Sequence, residues 1–316
     1  MKILVTGGAG FIASHLVDAL VKEGHGVVVV DDLSMGRREQ VHPSARFYQV
    51  DIRQREAMEP IFRAERPELV NHHAAQGNLR RSMTEPSFDA SVNIVGSLIL
   101  IELALAYKVR KFIDISSGGA VYGEPQRLPV DEHHPIRPLS AYGLSKCTVE
   151  RYLEILRDWF GLDYTTLRYA NVYGPRQDPS GEAGVVAIFS RQMLAGQCPT
   201  IFGDGTKTRD YVHVDDVVRA NLLAMVGERA AGRIYNLGLG REVSDRQIFE
   251  LVRSAVGATL EPIQEAKRPG EIDRICLDAS RAKAELGWEP TIPLEEGIAR
   301  TVAFYREAQG RLSETD

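Results

Sequence analysis

A phenol and an amine stand one helical turn apart in Tyr142-Gly-Leu-Ser-Lys146, so a helix over this stretch carries both on one face. A tyrosine titrates at about 10, and service as a base near neutrality requires lowering that by about 3, worth about 4 kcal/mol. One ammonium at about 4 Å, in an effective dielectric of about 20, supplies roughly that much. Tyr142 is therefore the candidate proton acceptor and Lys146 its tuner. Helix surfaces often carry both residue types, so the pair alone is a weak signal. Here it follows Ser116-Ser117, a serine pair at the end of an apolar strand pattern, which adds a hydroxyl to the set.

Glycines far upstream indicate what such a base serves. Residues 5–15 read VTGGAGFIASH and join an apolar strand, Lys2-Ile-Leu-Val5, to a helix with apolar residues at Phe11, Ile12, Leu16, Ala19 and Leu20. Gly7 permits a tight turn, Gly10 lets the backbone approach a pyrophosphate, and the open N–H groups of the first helical turn add partial positive charge. A second apolar strand, Val27-Val-Val-Val30, ends in Asp31 with Asp32 beside it, about 20 residues past the glycines. A carboxylate there accepts ribose hydroxyls and repels a 2′-phosphate, so the pattern points to NAD rather than NADP. Arg37 and Arg38 read as a solvated loop instead of a phosphate site. A nicotinamide cation beside Tyr142 would ease proton removal further, and Lys146 is placed to hold the nicotinamide ribose.

The elements that position these groups alternate. Strand patterns at 46–50, 68–73 and 111–115 are separated by helical patterns at 54–65 and 92–109, which implies right-handed crossovers and an α/β, Rossmann-type doubly wound parallel sheet. Ligands of such sheets bind beyond the carboxyl ends of the strands. The candidates there are Asp31, Asp51 and Ile52, Ala74, Ala75 and Gln76, Ser116 and Ser117, and Tyr169 and Asn171. Asp51 is placed to meet an adenine edge, with a helix cap as its competing role. Past Tyr173 the pattern becomes mixed, with short strands expected near 233–236 and 274–277. Asp215 and Asp216 are expected to cap a helix over 217–225. The expected division is a dinucleotide domain over 1–173, rejoined by 211–236, and a smaller mixed α/β substrate lobe from 174–210 and 237–316.

A chain of 316 residues with net charge −5 and pI near 6.0 is not a general binder of nucleic acid or membrane surfaces. Cys147, Cys198 and Cys276 have neither metal spacing nor a disulfide framework, which fits a reducing compartment. The first strand begins at Lys2 with no leader before it, so a cytoplasmic location is expected. The apolar run 92–109 is interrupted by Asn93, Glu102 and Lys108 and reads as a helix apolar around most of its circumference, starting after Pro86. One face of it would cover the sheet and the other a second copy, giving a homodimer. Neighbouring histidines on a strand point to opposite faces, so His72-His73 and His133-His134 are not expected to hold a metal.

Read together, TGGAGFIASH, Asp31, HHAAQ at 72–76, SSGGAVYG at 116–123, Tyr142 with Lys146, RYANVYGPRQDP at 168–179, GDGTKTRDYVHVDD at 203–216 and RPGE at 268–271 resemble the extended short-chain dehydrogenase/reductases. Within that group the chain is similar to the nucleotide-sugar epimerases, nearly end to end. The resemblance implies a tightly bound NAD. Tyr142 would take a proton from the C4 hydroxyl of a UDP-sugar while hydride leaves C4. The 4-keto sugar would then turn and recover hydride on its opposite face, interconverting UDP-galactose and UDP-glucose without net redox change. It further implies cofactor contacts from Gly7, Gly10, Phe11, Ile12, Asp31, Asp32, Asp51, Ile52, Ala74, Ala75, Gln76, Asn93, Ser116, Tyr142, Lys146 and Tyr169. On the substrate side it implies Ser117 and Tyr142 at the sugar, Asn171 at the diphosphate-sugar, Arg209 and Arg268 on the diphosphate, Thr200 and Phe202 at the uracil, and Val185 beside the nucleotide. Guanidinium suits a diphosphate because its fork donates twice.

The chain departs from the family pattern in two places. Ala13 replaces the usual third glycine, and Ser116-Ser117-Gly118-Gly119-Ala120 holds an extra glycine. Alignment from the strand makes Ser117 the catalytic hydroxyl, with Ser116 as the fallback; alignment backward from Tyr122 reaches a glycine. Dehydratases of the group carry acidic residues just after this hydroxyl, and Gly118 and Gly119 have no proton to give. Near 274–276 a bulky family aromatic narrows the pocket around C2 of the sugar, and Ile275 stands there, which keeps N-acetylhexosamine and uronate substrates as alternatives. A non-catalytic NAD-binding regulator is the remaining alternative, and it predicts damage to Ser117, Tyr142 or Lys146.

Overall fold

Strands β1 (Lys2–Thr6), β2 (Gly26–Asp31), β3 (Arg46–Gln49), β4 (Leu69–His72), β5 (Lys111–Ser117) and β6 (Tyr164–Tyr169) follow one another with helices between them. The computed structural model describes residues 1–179, 184–268 and 272–313, with side chains to residue 310. Beyond β6 come short strands β7 (Asn171–Tyr173), β8 (Thr200–Phe202), β9 (Thr208–Arg209) and β10 (Tyr211–His213). The last strands are β11 (Arg233–Leu237), β12 (Val243–Ser244) and β13 (Ile263–Glu265).

Seven strands form one sheet in the order β11-β6-β5-β4-β1-β2-β3, and every pairing in it is parallel. This is the Rossmann-type doubly wound sheet, whose strand order reverses between β1 and β4. Alternate residues of each strand enter opposite cores. Ile3, Val5, Val27 and Val29 pack with the Phe11–Lys22 and Val214–Val226 helices, while Leu4, Val28 and Val30 pack with the Arg55–Glu65, Ser97–Ala106 and Ala141–Phe160 helices. Burial on both faces is why the strands read as unbroken apolar runs.

A third core, of Val186, Phe189, Ile201, Tyr211, Ile248, Phe249 and Ile298 among others, joins the Val185–Leu194, Asp245–Val256 and Leu294–Ser313 helices. The sequence placed all of 237–316 with this smaller body. Instead Ile275, Leu277, Ala282, Leu286 and Trp288 lie in the large core, because the Ser280–Leu286 helix packs beside β11. Tyr211–His213 does not join the main sheet; it pairs with β7 outside it, and only β11 of the returning segment adds a strand. The expected strand near 274–277 is reduced to one bridge between Leu277 and Val130.

Two local readings also change. The helix expected to start after Pro86 and run to 109 does begin at Pro86 but passes through a π-helical segment at Ser91–Gly96 and ends at Ala106. The run from Pro86 to Ala106 is long and apolar enough to cross a membrane by length and composition. It nevertheless carries Asp89, Asn93 and Ser97 buried in hydrogen bonds. Asp215 and Asp216 do not cap the next helix, which starts at Val214 with the His213 ring accepting the Asp215 N–H. Asp216 is buried instead and accepts from Thr291 and Ile292, pinning the chain after Trp288 to this helix.

Candidate active site

The cleft opens where β1 and β4 end. Gly7 has φ of 68°, and a Cβ there would lie 2.8 Å from the Ala74 backbone nitrogen, so the turn after β1 and the loop after β4 approach as backbone against backbone. Gly10 caps the Phe11–Lys22 helix with no side chain bonded to its first N–H groups. This glycine cradle fits a pyrophosphate laid on the helix N-terminus. Ala13 is buried in the large core beneath, and Phe11 and Ile12 are half-buried.

At the end of β2 the Asp31 carboxylate is buried and accepts the Ala9 and Leu33 N–H groups at 3.0 and 2.8 Å. It thereby holds the glycine turn; burial raises its pKa against those two donors. Asp32 is exposed and accepts from Ser34. Asp51 neither caps a helix nor presents a free carboxylate, because Arg53 folds back onto it with Nη2 at 2.5 Å and lowers its pKa. Ile52 is buried, and its Cδ1 lies 2.8 Å from where a Cβ on Gly96 would sit.

The residues after β4 are held from both ends. The Ala74 N–H donates to Thr6 Oγ1 at 3.2 Å, and Asn93 brackets Gln76, accepting its N–H at 2.8 Å and donating to its carbonyl at 2.9 Å. The Asn93 side chain, expected at the cofactor, is thus used on the loop. Ala75 lies between these anchors, half-buried. Of the two histidine pairs, three rings are hydrogen-bonded and His73 Nε2 is buried without a partner among the described residues. His72 bonds Thr6 and Ser97, while His133 accepts from Arg281 and His134 from the Gln126 N–H.

The two serines divide. Ser116 is 3 % exposed and donates to Glu150 at 2.6 Å, so as fallback catalytic hydroxyl and as cofactor contact it is withdrawn from the cleft. Ser117 is half-buried and lies near enough to the Tyr142 phenol to favour its ionised form. Burial pushes that phenol up to about 12; the Ser117 contact pulls it down, and Asp89 and Asp114 push it up. The Lys146 side chain reaches the end of β5. Its ammonium donates to the Ile115 carbonyl at 2.8 Å and lies 5.9 Å from the centre of the Tyr142 ring. Burial lowers the Lys146 pKa, and the charges of Asp114, Asp89 and Glu150 oppose that.

Asn171, on β7, reaches the same corner. A Cβ on Gly119 would lie 3.4 Å from Asn171 Oδ1 and 3.9 Å from Ser117 Oγ. Gly118 has a packing reason, since a Cβ there would lie 2.5 Å from Leu277 Cδ1. Ile275 is 2 % exposed in the same core. Tyr169 ends β6 buried, its hydroxyl accepting from Asn221 at 2.7 Å.

On the smaller body, Phe202 and Arg268 come together, the guanidinium carbon 3.3 Å from the ring centre. Phe202 lines a cavity of about 600 Å³ with Lys207, Lys267 and Arg274. Thr200 is half-buried at the start of the same strand. Arg209, on β9, donates to the Thr208 carbonyl. Val185 is half-buried and packs against the third core. Pro269, Gly270 and Glu271 of the RPGE motif lie outside the described residues.

Sequence reasoning missed three buried acids. Asp89 meets the catalytic helix at Ser145, and Glu150 lies on that helix and pairs with Arg168. Asp210 is pushed up to about 7 by burial although the Leu239, Gly240 and Leu277 N–H groups all donate to it. A charged residue inside an apolar pattern was the available signal in each case.

Residues 3–238 match the model of the NAD dependent epimerase/dehydratase family. A UDP-glucose 4-epimerase from Mycolicibacterium smegmatis is 47% identical over 311 residues, covering 97% of this chain and 99% of that protein. Among solved structures, UDP-glucose 4-epimerase from Thermotoga maritima, crystallised with UDP-glucose, is 50% identical with a TM-score of 0.96 over 98% of this chain and 100% of that one. The Thermus thermophilus UDP-glucose 4-epimerase in complex with NAD is 42% identical with a TM-score of 0.92, over 98% and 100%. A parallel sheet with its glycine cradle at the strand-order reversal and a Ser117–Tyr142 contact beside a buried lysine accompany a family match over most of the chain, and the chain belongs to the NAD-dependent epimerase/dehydratase family.

Proposed function

We propose that this protein is a UDP-glucose 4-epimerase, interconverting UDP-galactose and UDP-glucose with NAD retained in its cleft. The observation that carries the reading is Tyr142 with a buried Lys146 on one helix, Nζ 5.9 Å from the ring centre and bonded to the Ile115 carbonyl, at the carboxyl end of β5 that bears Ser117. Gly7, Gly10 and the first turn of the Phe11–Lys22 helix would hold the pyrophosphate, and Asp31 the adenosine ribose. NAD, when bound, supplies the hydride acceptor and donor and a positive charge near the phenol. Tyr142 takes and returns the proton of the sugar C4 hydroxyl at its phenol oxygen, and Ser117 hydrogen-bonds that oxygen. Lys146, fixed by the Ile115 carbonyl, sets a positive potential in the cleft. Asn171 stands at the diphosphate-sugar, and Phe202 with Arg268 forms the wall that meets the nucleotide. The absence of any side chain at Gly118 and Gly119 favours epimerisation over water loss, which needs a further proton donor.

Incubation of the purified protein with UDP-galactose should yield UDP-glucose without added NADH, resolved by chromatography of the nucleotide sugars. Turnover of UDP-N-acetylgalactosamine with no turnover of UDP-galactose would overturn the assignment of a plain hexose.

The assembly proposed is a homodimer. Leu144, Tyr152, Ile155 and Trp159 form an exposed stripe along the Ala141–Phe160 helix, with Val95 exposed on the helix beside it. Such a contiguous apolar surface suits a self-complementary two-fold contact. Sedimentation at micromolar concentration should give twice the chain mass, and a single-chain mass would remove the dimer. Three free cysteines suit a reducing cytoplasm, the location proposed.

A further inference from the structure

We propose that Asp89 is a positioning residue whose carboxylate ties the helix bearing Tyr142 and Lys146 to the loop of residues 74–76 on the cofactor side of the cleft. The proposal rests on the reading of Tyr142 and Lys146 given above. Asp89 has no exposed surface, and three neutral donors converge on it. Ser145 Oγ donates to Oδ2 at 2.7 Å, while Gln76 Nε2 and Asn93 Nδ2 donate to Oδ1 at 2.9 and 3.0 Å. All three partners present hydrogens, so the position calls for a group that only accepts. An amide would set its own N–H₂ against one of them.

Each partner is attached to the active site by a further link. Ser145 lies one residue before Lys146 and three after Tyr142 on their helix. Asn93 clamps both backbone polar groups of Gln76. The π-helical segment Ser91–Gly96 begins two residues past Asp89 and lets Asn93 face both the acid and the loop. A second thread fixes the other end of the loop. Ser97 Oγ donates to the Asn93 carbonyl, so His72 Nε2 donates to Ser97 and His72 Nδ1 accepts from Thr6, whose oxygen receives the Ala74 N–H. Burial holds His72 neutral, as this chain of donors requires. The catalytic helix and the cofactor loop are thereby set against each other through one buried carboxylate.

The test uses the full-length protein purified with its NAD. Asp89→Asn is expected to lower kcat about 10- to 100-fold while KM for UDP-galactose stays within about twofold, because misplacement of reacting groups costs rate before binding. Ser145→Ala, which cuts the tether at its far end, is expected to lower kcat about threefold or more, and the double variant to be no slower than Asp89→Asn, the signature of one shared link. Wild-type kcat in Asp89→Asn, or losses that only follow the folded fraction seen by circular dichroism, would overturn the proposal. If Asp89→Asn does not fold, Ser145→Ala decides alone, and an unchanged kcat overturns it. Full turnover in Tyr142→Phe would instead sink the reading of the active site, whereas an inactive Tyr142→Phe beside a fully active Asp89→Asn removes only the tether.

Discussion

Tyr142→Phe is expected to lower kcat for UDP-galactose by about 10²–10⁴-fold, the range for losing a positioned acid–base group, with little change in KM or melting temperature. Removing the phenol oxygen leaves the body of the ring in place, so the packing of the Ala141–Phe160 helix stays intact. The chain by itself holds this phenol neutral, pushed up to about 12 by burial. Ser117→Ala is accordingly expected to be slower than wild type and faster than Tyr142→Phe, since it removes the neighbouring hydroxyl that favours the phenolate. Ser116→Ala acts elsewhere, leaving Glu150 with one donor fewer. Steady-state rates for the three variants, with NAD content measured on each, separate these roles. Ordinary turnover in Tyr142→Phe would end the proton-acceptor assignment.

Arg168→Met is expected to destabilise the fold by about 3–5 kcal/mol, the cost of leaving a buried charge without its partner, seen as a melting temperature lower by on the order of 10 °C. Arg168 and Glu150 are each 3 % exposed, with Nη2 and Oε2 2.5 Å apart, and Ser116 and Tyr122 complete the network. The pair joins β6 to the catalytic helix. Converting Glu150 to Gln in the same variant should recover part of the loss, because the orphaned charge is then gone. A melting temperature unchanged in Arg168→Met would show that the pair contributes nothing net. Both guanidinium and carboxylate make several well-directed hydrogen bonds, which is what allows a buried pair to offset its desolvation.

Much of the molecule is readable from short stretches. The turn with Gly7 and Gly10, the strands of β-branched residues and the Tyr142–Lys146 spacing are decided by local backbone geometry, so the sequence places them directly. The smaller body is harder to read. Its strands run two or three residues and its pieces come from distant parts of the chain, so Ile275 and Trp288 entered the large core against expectation. Asp215 and Asp216 look alike as a helix start, yet only Asp216 is enclosed by the segment after Trp288.

The sequence by itself determined the glycine turn between the first strand and helix, and that a phenol and an ammonium share a helix near a strand end. These follow from periods of two and 3.6 and from residues adjacent along the chain. Only the tertiary structure decided which serine meets the phenol, that the Lys146 ammonium binds the Ile115 carbonyl, and that Asp89 joins the helix to the loop. Those facts depend on how the Ala141–Phe160 helix lies across β5 and on residues 25 to 56 positions apart coming together, distances over which spacing along the chain carries no geometry.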